Sequence, residues 1–253
     1  MRDPCFAVGY AGHSKSQYRV SRRALLKGEG LELGVFKCLK VAYIATIMFE
    51  MTDIKRVDLS DPVMDSMYVK DKFSGLSDRR GKIARLLTSG DLVCLRRGLY
   101  TGHSSYHPFC FAASMYGPSY ISYESALSYY GLIPEAVYAI TSATLKRPAT
   151  FENDFGSYIY RRVPREVYAI GIALHDQFET PVLMASPAKA LCDRIALEPR
   201  MRSLSAVQHW WELMRFNTDI SIDRHELTAC AERYARPSVR LLLRFLEKQG
   251  GLV

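Results

Sequence analysis

Residues 76–101 read LSDRRGKIARLLTSGDLVCLRRGLYT, and the fold of the first patterned part of the chain turns on this stretch. Ser77 offers an N-cap with Asp78 in the first turn. Ile83, Leu86 and Leu87 then recur at helical spacing, which predicts one buried stripe. Arg79, Arg80, Lys82 and Arg85 lie on or near the opposite side until Gly90 stops the run. Residues 91–95 and 99–101 follow as apolar, β-prone segments around Arg96-Arg97-Gly98, so the pattern predicts a hairpin with a basic tip and a permissive glycine backbone. A basic helix followed at once by a basic-tipped hairpin is the layout of a winged helix, whose helix enters the major groove while wing arginines reach phosphates or the minor groove. The same residues also fit a solvated basic helix beside an incidental hairpin.

Upstream, residues 61–73 carry a weak helical pattern before the turn Ser74-Gly75-Leu76, and Pro62 interrupts the only candidate for an earlier helix of the module. Residues 1–47 show no sustained period. They read either as an N-terminal arm or as a mis-called start, with translation beginning at Met48 or Met51. The chain therefore divides into an extension (1–47), a small winged-helix-like DNA-binding module (48–104) and a mixed domain (105–253), an α+β protein overall.

Downstream, residues 106–116 predict a helix ending at Gly117-Pro118, and Ser122 with Glu124 predicts the capped start of another, closed by Gly131. Residues 137–143, 157–163, 168–172 and 182–184 are rich in Val, Ile, Tyr and Thr and predict a small sheet. Ser186 before Pro187 marks a helix start. Helices are expected over 203–215, 223–234 and 237–248, where Val239, Leu242, Leu243 and Leu246 form the apolar side.

The 253 residues are 48% hydrophobic and 24% charged, an ordinary globular composition. The net charge of +8 favours a polyanionic partner such as double-stranded DNA, because basic side chains displace condensed counterions. A second basic stripe, Arg236, Arg240, Arg244 and Lys248, recurs every four residues, and such like charges repel unless an acidic partner or neighbouring acids relieve them. Six cysteines are scattered without a C-x-x-C pair, as expected for free thiols in a reducing compartment. The apolar run 33–49 contains Lys37 and Lys40 and is short for a membrane span, and no secretory signal precedes it; a cytoplasmic protein without membrane association is expected.

Catalytic signatures are sparse. His103, His107 and Cys110 lack a fourth ligand cluster, so no metal and no cofactor are expected. Glu124, Lys189 and Asp193 are charges within apolar helical patterns, and Lys189 with Asp193 forms an i, i+4 pair by position. There is no nucleophile elbow, phosphate loop or dinucleotide fingerprint, and the reading is of a protein without catalytic residues. Clustering of Glu124, Lys189 and Asp193 in a cleft would instead indicate an enzyme.

Three blocks resemble the AbiEi family of antitoxins from type IV toxin–antitoxin systems. The first is LSDRRGKIARLLTSGDLVCLRRGLY (76–100). The second is YGPSYISYESALSYYGLIP (116–134), with ITSAT (140–144) and FGSYIY (155–160). The third is MASPAKALCD (184–193). The likeness spans roughly residues 70–196 and departs from the family at Ala188, where an acidic residue is usual. It implies an N-terminal domain that represses its own promoter at inverted repeats. It also implies a C-terminal antitoxin domain (105–253) that opposes a nucleotidyltransferase toxin without a stable complex, as in phage-defence, abortive-infection modules. The implied DNA contacts are Arg79, Arg80, Lys82, Arg85, Arg96 and Arg97; the implied antitoxin motif is Ser122, Glu124, Tyr130, Lys189 and Asp193, residues that capping, pairing and packing also explain. A stand-alone transcriptional regulator without a toxin is the alternative.

Overall fold

The computed structural model describes residues 59–250 apart from Ser60 and Ala136. The extension 1–47, the proposed starts at Met48 and Met51, the run 33–49, Cys5, Cys38 and Gly251 lie outside the described residues. Within them the protein is a mixed α+β structure with two sheets and nine helices.

The first element is a two-residue strand, β1 (Met64–Asp65), followed directly by helix α1 (Ser66–Lys72). Asp65 caps this helix by accepting the Met67 and Tyr68 amides, so helix formation starts beyond Pro62 rather than being broken by it. Helix α2 (Arg79–Ser89) is capped by Asp78, one residue later than expected, its carboxylate accepting the Gly81 N–H at 2.9 Å. A carboxylate there also meets the positive end of the helix dipole, which a serine hydroxyl does not. Gly81 makes room for this cap, because a Cβ at that position would collide with the Asp78 side chain. Gly90 ends α2 in the left-handed conformation, as expected.

The hairpin follows as β2 (Val93–Arg96) and β3 (Leu99–Thr101), turning through Arg97 and Gly98, the latter at φ 82°. The three strands form a sheet in the order β1-β3-β2. The register slips between Cys94 and Arg96, leaving Leu95 as a bulged residue whose side chain is fully buried in the larger core. The smaller core consists of Met64, Val69, Phe73 and Leu92, with Leu59, Leu76, Ile83, Leu86 and Tyr100 packed around it. One expectation fails here: Leu87 is 37% exposed, and α2 contains no fully buried residue. Leu87 lies about 100° round the helix from Leu86, which carries it past the edge of the contact.

The six-stranded sheet is built from β4 (Ser119–Ile121), β5 (Ala139–Thr144), β6 (Ala149–Asn153), β7 (Gly156–Arg162), β8 (Ile172–His175) and β9 (Val182–Ala185). Its order is β6-β7-β5-β4-β9-β8, with β5–β7 and β4–β9 parallel and the other pairs antiparallel. Helix α3 (Phe109–Met115) covers one face, where Tyr158 and Tyr160 donate their hydroxyls to the carbonyls of Pro108 (3.0 Å) and Ala112 (2.7 Å). Helices α4 (Tyr123–Tyr129) and α6 (Pro187–Ile195) cover the other. Thr141, one residue out of phase with the strand positions facing α3, accepts the Ser125 amide of α4 at 3.0 Å. Helices α7 (Leu204–Leu213), α8 (Arg224–Tyr234) and α9 (Pro237–Gln249) close the second side and bury Val207, Trp210, Leu227, Cys230, Val239, Leu242 and Leu246. Leu243 is only half-buried.

Several elements depart from the expected ones. The helix expected from residue 106 begins at Phe109, because Pro108 disfavours helical backbone at His107. Residues 165–168 form a short helix, α5 (Arg165–Tyr168), where the strand 168–172 was expected; Pro164 opens it and Gly171, at φ 62°, turns the chain into β8. Strands β4 and β6 had no counterpart in the sequence reading.

Candidate functional site

The basic residues of α2 sit where the sequence placed them. Arg79, Arg80 and Arg85 are exposed and Lys82 is half-buried. A hollow of about 410 Å³ opens at the start of the helix, lined by Lys70, Ser77, Asp78, Arg79, Arg80 and Ile83. Arg85 approaches Asp78 at 3.8 Å, with the two side chains 72% and 68% exposed; water screens such a pair almost entirely, so the guanidinium is available to another anion. Arg96 and Arg97 are exposed at the hairpin turn. That turn abuts the beginning of α1, since Gly98 accepts the Ser66 amide at 2.9 Å. Lys70, near the end of α1, borders the hollow of Arg79 and Arg80. One seven-residue helix thus links the two basic groups. Burial, and then Tyr158, raise the Tyr160 hydroxyl above its ordinary range, with the Arg96 charge opposing them.

The C-terminal stripe is also on the surface, with Arg236, Arg240, Arg244 and Lys248 all exposed. Arg236 donates to the Ala196 carbonyl at 2.8 Å, whereas the ion pair of α9 joins Glu247 to Arg224 and leaves the stripe un-neutralised by it.

The motif residues around the six-stranded sheet converge differently. Lys189 and Asp193 are fully buried, 2.7 Å apart, one turn apart on α6. Ser186 caps that helix by accepting the Lys189 amide, as its sequence predicts. Asp193 is also the acceptor for Ser122 Oγ (2.7 Å), Tyr120 Oη (3.0 Å) and Tyr234 Oη (2.5 Å), so strand β4, helix α6 and helix α8 meet on one carboxylate. Ser122 therefore does not cap α4 with its side chain, contrary to expectation; its hydroxyl is committed to Asp193. The Lys189 ammonium lies 5.0 Å from the Tyr234 ring centroid and 5.7 Å from that of Tyr120, a cation–π environment that supplements its single ion pair. Burial, and then the Asp193 charge, hold the Tyr120 and Tyr234 hydroxyls far above the ordinary phenol range and therefore protonated as donors. Tyr123, the first residue of α4, is fully buried with φ 53°, an uncommon backbone for a bulky residue.

Glu124 is separate from this cluster. It pairs with Arg194 at 2.8 Å and Arg161 at 3.5 Å on the flank of α4, and Arg194 also holds Glu198. Glu124, Lys189 and Asp193 do not share an open cleft, because Lys189 and Asp193 are sealed inside the fold. Tyr130 hydrogen-bonds His175 at 3.0 Å, and burial, Tyr129 and Glu226 push its hydroxyl up to about 12. His103 and His107 do not converge: His103 stacks on Tyr106, and His107 packs on Phe109 and Phe178. Cys110 Sγ and the His107 amide contact Glu179. No group of three or more potential ligands able to hold a metal occurs among the described residues. Neither is any helix among them long and apolar enough to cross a membrane.

Tyr120 and Tyr234 were missed as partners of the motif. Tyr120 lies two residues before Ser122, a spacing that points both side chains to one side of an extended strand, but nothing local marks Tyr234. Compared with protein-family models and with curated proteins, the chain gives no match.

Proposed function

We propose that the protein is a DNA-binding transcriptional autorepressor and the antitoxin of a type IV toxin–antitoxin pair, acting in the cytoplasm on its own promoter and opposing a nucleotidyltransferase toxin. The observation that carries the DNA-binding part is the succession β1, α1, α2, β2, turn, β3 with the sheet order β1-β3-β2. This supports a winged-helix reading in which α2 is the recognition helix and the Arg97-Gly98 turn the wing. The basic residues add chemistry to topology: Arg79, Arg80, Arg85, Arg96 and Arg97 are all solvent-accessible, and arginine forks suit phosphate oxygens and guanine edges.

The antitoxin part rests on the resemblance of residues 70–196 to AbiEi proteins. In this reading Ser122, Lys189 and Asp193 build the domain rather than react, since Asp193 accepts from Tyr120, Ser122, Lys189 and Tyr234 and all three motif residues are buried away from any substrate. The toxin-facing surface is then elsewhere on the same domain, with the α9 stripe as a basic candidate. No enzymatic activity and no cofactor form part of the proposal.

The decisive experiment is a gel shift on the gene's own upstream region over a salt series. The full-length protein is expected to bind with a strong salt dependence, and the Arg79→Ala/Arg80→Ala double variant to lower the slope of log affinity against log salt by about 2. Absence of binding at low salt overturns the repressor reading. Co-expression with an adjacent nucleotidyltransferase gene, scored for growth rescue, tests the antitoxin reading separately; a regulator without a toxin gives the shift and no rescue.

A further inference from the structure

The six-stranded sheet ends on two unlike edges. At one of them β6 carries exposed Thr150 and Glu152, and Asn153 Nδ2 donates to the Leu95 carbonyl at 2.9 Å, so the hairpin abuts that edge. At the other, β8 pairs only with β9 among the described residues. This four-residue strand, Ile172-Ala173-Leu174-His175, has none of the devices that usually blunt an edge: no lysine, no proline and no break in its register. Leu174 and Leu183 stand directly opposite one another, hence on one face, and are 57% and 42% exposed.

The parity of the ladder fixes which backbone groups of β8 are spare. Ser186 donates its amide to the Gly171 carbonyl at 2.8 Å, and this pair continues the β8–β9 register by one residue. Bonded and non-bonded pairs alternate along an antiparallel ladder, so Ala173 and His175 also bond towards β9. The N–H and C=O groups of Ile172 and Leu174 therefore point away from the sheet, two donors and two acceptors along one open edge.

We propose that β8 pairs with β8 of a second copy of this chain, antiparallel about a two-fold axis through Ala173, so that two sheets join into one. The register follows from the spare groups. Ile172 faces the partner's Leu174 and exchanges both backbone bonds with it, the axis repeats the exchange, and all four groups of each copy are satisfied. An edge that is its own complement meets the condition for an isologous contact. Side chains agree with the backbone, because Leu183, Leu174 and the partner's Ile172 then form one apolar row across the seam. Charge agrees as well: residues 166–188 contain no lysine or arginine, so two chains that each carry a net charge of +8 meet here without opposing basic side chains. A four-residue edge buries less than the roughly 1,200 Å² of a standard interface, which makes the dimer weak and dependent on concentration.

The test uses the full chain in sedimentation velocity over a wide concentration series, with no DNA present. Wild type is expected to pass from the mass of one chain to that of two. Leu174→Lys is expected to stay at one, with an unchanged thermal midpoint because residue 174 faces water in the monomer. Cysteine placement reads the register independently of that variant. Facing Ala173 residues have Cα atoms about 4.5 Å apart, within disulfide range, whereas the two Leu174 residues are more than about 7 Å apart. Under mild oxidation Ala173→Cys should therefore give the tryptic peptide 166–189 linked to itself, and Leu174→Cys should give at least about tenfold less. A single-chain mass at every concentration overturns the proposal. So does a dimer that survives Leu174→Lys, or equal linkage at positions 173 and 174. Neither readout involves DNA, so the dimer stands or falls separately from the repressor reading.

Discussion

The three-stranded module and the six-stranded sheet spend their charged residues in opposite ways. In the module, α2 rests on a core of four buried side chains and presents its arginines to solvent. In the larger sheet, a lysine and an aspartate are buried outright, surrounded by three hydroxyls that all point at the aspartate. An exposed charge costs little to keep and remains free to meet a partner. A buried one is tolerated only when its surroundings are complete, and it then dictates how those surroundings are arranged. The contrast separates a surface built to bind from an interior built to hold its shape.

The sharpest way to break this contrast is at Asp193. Asp193→Ala leaves the Lys189 charge and three buried hydroxyls without their acceptor, and is expected to cost about 3–5 kcal/mol in urea unfolding. Next comes the small core. Phe73→Ala is expected to cost about 3 kcal/mol, with amide exchange accelerating across residues 64–101 ahead of residues 139–162. Arg85→Ala removes a screened pair and should change stability by less than about 0.5 kcal/mol, while measurably weakening promoter DNA in a gel shift. A large loss of stability in that variant would erase the distinction drawn above.

The smallest effect concerns pH. Burial lowers the His107 value, with Glu179 opposing, so the folded protein binds fewer protons at this site than the unfolded chain. Stability is therefore expected to rise with pH through the ordinary histidine range and to fall below it. Chemical denaturation at several pH values should show that slope, and His107→Phe should flatten it.

Exposed features were the most legible. The arginines of α2 could be placed from helical spacing alone, since a solvent-facing side chain needs no tertiary partner to be where it is. Helices α6 and α8 were equally readable, because Ser186 before Pro187 and Asp223 before Arg224 are local signals that the folded chain uses directly. Strand β4 was not, since three residues are too few to show a period, and its pairing with β5 and β9 is set by distant segments. Lys189 and Asp193 illustrate both halves of the problem. Their spacing announced an ion pair, but its complete burial depends on Tyr120, Ser122 and Tyr234, separated from Asp193 by 73, 71 and 41 residues.

The bulge at Leu95 sets a tolerance for the hairpin. Its side chain is seated in the larger core while Cys94 and Arg96 on either side face water, and Asn153 Nδ2 holds its carbonyl at 2.9 Å. Adding or deleting a single residue in β2 would exchange anchor for surface, driving an arginine or a thiol into the space that leucine fills. Variation in the length of this arm is therefore confined to its turn, and its root is fixed like a hinge pin.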